Sequence, residues 1–486
     1  MTQGEKKPAC KKWLLLGLLV VMAGGALFGW YKFFREEAQP DWVTETPEMR
    51  FKYGSIGGEN DAGIPYWIFM VLPRLFADHL PGNGGYASLG ASWEEGQELP
   101  IGFTKKVIGF PRVGNNCAVC HTAPYRKHKT DTPIFEVAGP SHTLNIEGFF
   151  KFLVDCAKDP RFNADNIMQE IATLHKFSFI DGLIYRYLII PITKKSLVER
   201  EEQFQWVYRE DFPAWGPGRD DAMNLTKYFM IEREMDGSYG PTDMPSVWNL
   251  KKYDPEDMTM NWDGASHNSR SVVMDSALGL LGEAPKSNAR FEAQIDWLVE
   301  YLRNRAAPAY PFPIDQALAA QGAAVFANNC ARCHASEQTG KPVALEEIGT
   351  SPERIATWDK EAAIAANEVV ADMGLQRDGL VEETMIGYIA VHLDGIWLRA
   401  PYLHNGSVPS LRDLLKPVQD RPKVFYRGYD VYDADNVGFV SNGADAEEAG
   451  SMYDTEYRGN SNQGHEYSTG LAISDKSALL EYLKTL

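Results

Sequence analysis

The chain has 486 residues, with 48 Lys and Arg against 66 Asp and Glu, a formal net charge of −18. That sign argues against nucleic acid or anionic lipid as partners and leaves room for a basic partner without requiring one. The length exceeds one small domain and suits two or three.

The first predicted element is N-terminal. Trp13 to Tyr31 carries no charge, and a helix of that length spans roughly 28 Å, enough to cross a bilayer. Lys6, Lys7, Lys11 and Lys12 precede it, which keeps residues 1–12 cytoplasmic. Trp13, Trp30 and Tyr31 bracket the run as interfacial aromatics. A cleaved signal peptide is the rival reading. The run is long for one, however, and Lys32-Phe33-Phe34-Arg35 follows it instead of an Ala-x-Ala site. The sequence favours an uncleaved anchor over residues 13–31. Cys10 lies before the apolar run and so is not a lipoprotein cysteine.

Farther on, KKVIGFPRVGNN, with Gly109, Pro111 and Gly114, reads as strand and turn. It leads into Cys117-Ala118-Val119-Cys120-His121. Helical periodicity follows over Ile146–Ala157, Asn166–Phe177 and Ala289–Arg303. Ala307-Pro308-Ala309-Tyr310-Pro311-Phe312-Pro313 is a Pro-rich linker that excludes helix. Beyond it, the Ala-rich stretch Ile314–Asn329 predicts a helix that delivers its end to Cys330-Ala331-Arg332-Cys333-His334. Tyr429–Glu466 holds nine Asp and Glu and one Arg, with many Gly and Asn. It reads as a long solvated surface loop, with a calcium site among its carboxylates as the minor alternative. The amphipathic stretch Lys476–Leu486 predicts a last helix.

The repeated pentapeptide carries the chemistry. Cys-x-x-Cys-His is the attachment signature of c-type haem: two thiols add across the vinyl groups of one porphyrin, and the histidine becomes an axial ligand. A redox dithiol or half a zinc site is the alternative for a bare Cys-x-x-Cys, but the adjoining His in both copies speaks against it. The sequence thus predicts two covalently attached haem c groups, haem 1 on Cys117, Cys120 and His121, haem 2 on Cys330, Cys333 and His334. Cys156 is left to pack as a small buried residue. Twelve Trp and 22 Tyr suit a chain wrapping flat porphyrins, and equally suit loop-rich domains full of aromatics. Small cytochromes c cross their first and last helices at a glycine–aromatic contact, for which Gly322 against Tyr482 is the expected pair.

The second axial ligand separates carriers from catalysts. Met373, Met385, His392 and His404 are the candidates at haem 2. His404 stands out, because the prolines, glycine and capping residues of RAPYLHNGSVPS present a side chain at fixed aim. At haem 1 the candidates are His128, His142 and His175, with His142 the one able to close the site. Arg219 has the chemistry to pair with a haem propionate.

LDGIWLRAPYLHNGSVPSLRDLL resembles a hallmark segment of the larger dihaem c-type cytochromes related to rubber oxygenase, a family distantly linked to bacterial dihaem cytochrome c peroxidases. AWGPGRDD, DMPSVWNL, NWDGASHNS and GNSNQGHEYSTGL match as well, so the resemblance covers roughly residues 95–486. It implies a fold that is mainly α with much irregular structure, two cytochrome c-like haem domains (residues 32–306 and 307–486) behind an N-terminal transmembrane helix. By the same resemblance His404 is the sixth ligand of haem 2, Trp215 stands between the haems, and Phe229 is a candidate for the distal wall of haem 1. Haem 1 is then the reactive group and haem 2 an electron relay.

The expected function is that of a bacterial inner-membrane protein with periplasmic haem domains, activating dioxygen or peroxide at haem 1. Its partners would be an electron-transfer protein or a small oxidant. The alternative is a non-catalytic dihaem electron carrier with both irons six-coordinate. Polyisoprene cleavage is not expected of a tethered protein, because that polymer is insoluble.

Overall fold

The structure is a computed structural model, and it describes residues 9–60, 62–255, 258–281, 285 and 287–486. It is mainly helical, with short strands and much irregular chain. The first helix, Ala9–Phe33, contains an apolar run from Trp13 to Phe33 of mean hydropathy 2.0, none of it buried against the rest of the molecule. Such a helix is long and apolar enough to cross a membrane, as an anchor or as a signal sequence.

The strand-and-turn reading before Cys117 holds. Phe103–Ile108 and Phe110–Asn115 form an antiparallel hairpin, joined by Ile64–Pro65 at the other edge of Phe110–Asn115. Gly109 makes the turn at φ +72°, and a Cβ there would lie 2.1 Å from the carbonyl oxygen of Lys32. Only glycine allows the hairpin tip to meet the end of the N-terminal helix this closely. Downstream helices run Ile146–Lys158, Ala164–Leu174 and Asn288–Asn304, each within a few residues of its predicted span. Asn145 and Asn163 cap the first two through their side-chain oxygens.

In the C-terminal part, Gln316–Asn329 starts at Asp315, whose carboxylate accepts from the amides of Ala317 and Leu318. This helix crosses Ile473–Leu483. At the crossing, a Cβ on Gly322 would sit 1.9 Å from the carbonyl oxygen of Ala478 and 2.8 Å from Cβ of Tyr482. Phe326 packs beside it with its ring tilted to that of Tyr482, the centroids 5.1 Å apart. The expected glycine–aromatic crossing is therefore present.

Two features depart from the sequence reading. Residues 307–313 are extended, as prolines require, but they are packed in place. Trp397 Nε1 donates to Pro308 O (2.9 Å), and the Phe312 ring stacks on Tyr432 at 5.3 Å. The largest buried cluster draws on both sides of this stretch, joining Phe51, Ala118, Trp248 and Leu298 to Phe326, Trp397 and Leu479. The acidic segment Tyr429–Glu466 is likewise no free loop. Ser451–Asp454 pairs with Val424–Arg427, Tyr432–Asp433 pairs with Gly438–Phe439, and Tyr432, Val437, Tyr453 and Asn460 are buried. Net acidity had hidden its apolar anchors. Among the described residues no group of three or more His, Cys, Asp or Glu is arranged to hold a metal ion.

Candidate haem centre

Cys117 opens a 3-10 turn that runs to Val119. Asn116 sets this turn: its Oδ1 accepts from the Ala118 amide (2.9 Å), and its Nδ2 donates to Phe51 O and Gly54 O. The His121 amide then donates to Cys117 O at 3.0 Å, folding the pentapeptide into one turn with both thiols and the imidazole on it. His121 Nδ1 lies 2.8 Å from Pro245 O. A ring nitrogen facing a carbonyl can only donate, so Nε2 is left as the lone-pair nitrogen. Burial holds the ring neutral, its pKa down at about 4.

The second pentapeptide reaches the same arrangement from a different support. Cys330 ends the helix Gln316–Asn329, the His334 amide donates to Cys330 O at 3.0 Å, and His334 Nδ1 donates to Val391 O at 2.8 Å. An axial histidine needs this hydrogen bond to fix its tautomer, its plane and its basicity. Both copies have it.

One cavity of about 990 Å³ opens to both motifs. Cys117, Cys120 and His121 line it, as do Cys330, Cys333, His334 and His404. Its wall is largely apolar, including Phe149, Phe150, Leu153 and Phe229. Burial raises the Cys117 thiol to about 11 and so favours its protonated form.

His404 is buried, at 5% exposure, and burial takes its pKa down to about 3. Its ring stacks on Tyr388 (centroids 3.9 Å, 14°). The loop that carries it is tied from several sides. Tyr402 and Val408 exchange backbone hydrogen bonds, the Asp243 amide donates to His404 O, and Asn405 Nδ2 donates to Gly459 O and Ser461 O. Gly406 (φ +64°) lies so close to the Arg427–Asp243 ion pair that a Cβ would overlap Arg427 Nη1 at 2.1 Å. An immobilised, neutral imidazole on an apolar cavity wall is what a sixth ligand requires.

The other sequence-derived residues divide by position. Phe229 and Met373 line the cavity, as does His392, whose ring meets Tyr253 edge-on. Met385 is buried in a separate cluster with Trp358 and Leu380. Trp215 is buried, at 2% exposure, among the aromatic residues of the first haem region; it does not belong to the cavity lining, whereas Trp248 and Trp262 do. Arg219 is fully buried. It donates to Trp215 O, Pro241 O and Asn460 Oδ1 (2.8 Å), tying the 215–219 loop to the C-terminal part. His128 sits in an exposed turn, and His175 stacks on Trp67 at 4.2 Å. His142 stacks on Phe439 (3.7 Å, 20°) and faces a separate, much smaller cavity with Phe425 and Arg427.

Sequence reasoning passed over several lining residues. Trp248, Trp262 and His465 all lie within the quoted stretches DMPSVWNL, NWDGASHNS and GNSNQGHEYSTGL, so a signal for them existed. The His465 ring lies 6.3 Å from that of His334, and its buried Nδ1 has no hydrogen-bond partner among the described residues. Asp220 also lines the cavity; burial, then the neighbouring Asp221, pushes its carboxyl up to about 7. Met223, Met230, Met244 and Met260, also not singled out from sequence, line the cavity too.

Comparison with known proteins agrees with this chemistry. Residues 317–384, which include the second pentapeptide, match the family described as cytochrome c oxidase, cbb3-type, subunit III. Residues 387–426, which include His404, match the family described as RoxA-like, cytochrome c-like. Two proteins of Sinorhizobium fredii are similar to the chain. Uncharacterized protein y4iM is 30% identical over 286 residues, 50% of this chain and 64% of the relative. Uncharacterized protein y4iJ is 31% identical over 237 residues, 36% of this chain and 39% of the relative. The chain thus spans less than two thirds of the length of either relative. Residues 317–384 and 387–426 are thus cytochrome c sequence, and domains of this kind imply covalently bound haem c.

Proposed function

We propose that the protein is a membrane-anchored, periplasmic dihaem c-type cytochrome, with haem 1 as the reactive centre and haem 2 as electron relay. Haem 1 would be held by Cys117, Cys120 and His121, and haem 2 by Cys330, Cys333, His334 and His404. The observation that carries the reading is an asymmetry of histidines. At haem 2 a buried imidazole, His404, faces the cavity. None of His128, His142 and His175, the candidates at haem 1, lines it, and His142 is turned to a different cavity. A haem with one protein ligand supplies an open coordination position at which dioxygen or peroxide is activated.

The protein's own contributions follow from the geometry. Pro245 O and Val391 O fix the His121 and His334 rings. Phe229 and the neighbouring phenylalanines exclude water from the haem 1 side. Asp220, poised near neutrality by burial, is placed to hold or deliver a proton within the cavity. The lining tryptophans Trp248 and Trp262 add aromatic material to the cavity that both motifs open into, beside the role the family resemblance gives to Trp215. The small oxidant or redox protein that takes part is an expectation from this chemistry.

A second reading has one observation in its favour. Met223, Met230 and Met260 bring thioethers to the same cavity, and a thioether at haem 1 would make a six-coordinate carrier. Carbon monoxide titration of the reduced protein decides. Half of the haem should shift its Soret band, and the oxidised protein should show one high-spin and one low-spin iron by EPR. Two low-spin irons and an inert spectrum would establish the carrier instead.

A further inference from the structure

A long helical segment begins at Phe179 and continues through a π-turn at Tyr185–Ile189 to Phe204. Its inner face is built in: Tyr185, Ile189 and Ile190 are buried, and the Tyr185 ring packs on Phe177 at 4.3 Å and on Phe110 at 6.0 Å. The outer face is apolar and uncovered. Phe179 is 82% exposed, Tyr187 71% and Ile192 54%, with Ile180, Leu183 and Leu188 exposed beside them. A row of this kind is unusual on a surface facing water.

Its position supplies the partner. Lys32, the residue that ends the apolar N-terminal run, donates from Nζ to Asp181 on this helix at 2.6 Å. The same junction is fastened to the hairpin tip: Gly109 N donates to Arg35 O, Glu37 N to Val107 O, and Arg112 Nη2 to Phe33 O at 3.3 Å. Phe110, next to that tip, is the residue packed on Tyr185. The start of this helix therefore stands beside the end of Trp13–Phe33. Exposed Lys176 and Lys195 flank the apolar row, as cations do at the edge of an interfacial helix.

We propose that residues 179–192 lie in the membrane interface as a second lipid contact beside the anchor, holding the haem 1 region against the bilayer. This rests on the anchor reading of Trp13–Phe33. The contact is apolar rather than electrostatic, so the net charge of −18 does not oppose it on neutral lipid. The orientation has a functional side, because Leu197 and Arg200 on the same helix line the haem cavity.

Full-length protein reconstituted in phosphatidylcholine vesicles, photolabelled with an apolar diazirine and digested, tests this directly. Label is expected in the peptide spanning residues 13–31 and in the one spanning 179–192, with the second lost in Phe179→Asp/Tyr187→Asp while the first remains. Haem content of the variant, unchanged, would show that it still folds. Label in 13–31 alone would overturn the lipid contact and leave the anchor standing, as when a second copy or a protein partner covers the face. Label in neither peptide would overturn both. Label in 179–192 that persists in the double variant would show that the row named here is not the inserted face, and would overturn the proposal too.

Discussion

The two pentapeptide regions make the same turn from different material. In the first, a β-hairpin, an asparagine cap and the segment Phe51–Gly54 place Cys117. In the second, the end of a helix places Cys330. Each nevertheless closes with a His-to-Cys backbone hydrogen bond of 3.0 Å, and each axial-type histidine donates to a carbonyl from a remote segment at 2.8 Å. The attachment geometry is thus a local property of five residues plus one distant carbonyl. What differs, on the proposed reading, is the wall facing each iron: His404 for the second region, phenylalanines and thioethers of the same cavity lining for the first.

The comparison breaks most plainly at the thiols. Cys117→Ala/Cys120→Ala and Cys330→Ala/Cys333→Ala should each remove one covalent haem, read by haem-stained denaturing gels and intact mass. Retention of two haems in either variant would end the dihaem reading.

The next largest effect concerns the asymmetry itself. His404→Ala should convert haem 2 from low-spin to high-spin and let it bind carbon monoxide, with both haems still attached. Should Met373→Ala produce that change and His404→Ala leave the spectrum intact, the sixth ligand has been misassigned.

Helix support distinguishes the regions more gently. Gly322→Val drives a side chain into the backbone of the last helix and should cost about 3 kcal/mol, read as a lower unfolding midpoint. The carbon monoxide spectrum assigned to haem 1, which rests on the hairpin, should stay as it was.

The last effect shows only in acid. Burial, then Arg427, holds the His142 pKa down at about 3, below the ordinary histidine value. The unfolded chain therefore takes up this proton first as pH falls, and stability is lost between about pH 6.5 and 3. His142→Phe keeps the stack on Phe439 and should shallow that acid limb by about one proton, measured by denaturant unfolding across the range. An unchanged slope would mean that this ring is not held neutral.

The haem motifs, the two crossing helices and the strand approach to Cys117 were legible because each is a local pattern: fixed spacing, helical period, turn glycines. Gly322 could be picked out because a crossing with no room for Cβ admits one residue type. The packing of residues 307–313 and 429–466 was not legible. Composition reports prolines and carboxylates, while burial there depends on a few spaced aromatics such as Tyr310, Phe312, Tyr432 and Tyr453 meeting distant partners. His142 shows the same limit from the other side. Proximity in sequence to His121 made it a candidate ligand, and only tertiary packing turned its ring onto Phe439.

The undivided cavity bears on how such a protein is made. Cys117 is 5% exposed in the closed fold, and the walls around it come from chain segments hundreds of residues apart. On the dihaem reading, thioether formation has to happen on a chain still open, before those walls meet. The haems would then fill the interior that those walls enclose. Export, attachment and closure become one ordered sequence, and a chain that closed early would have sealed away the thiols it still needed to use.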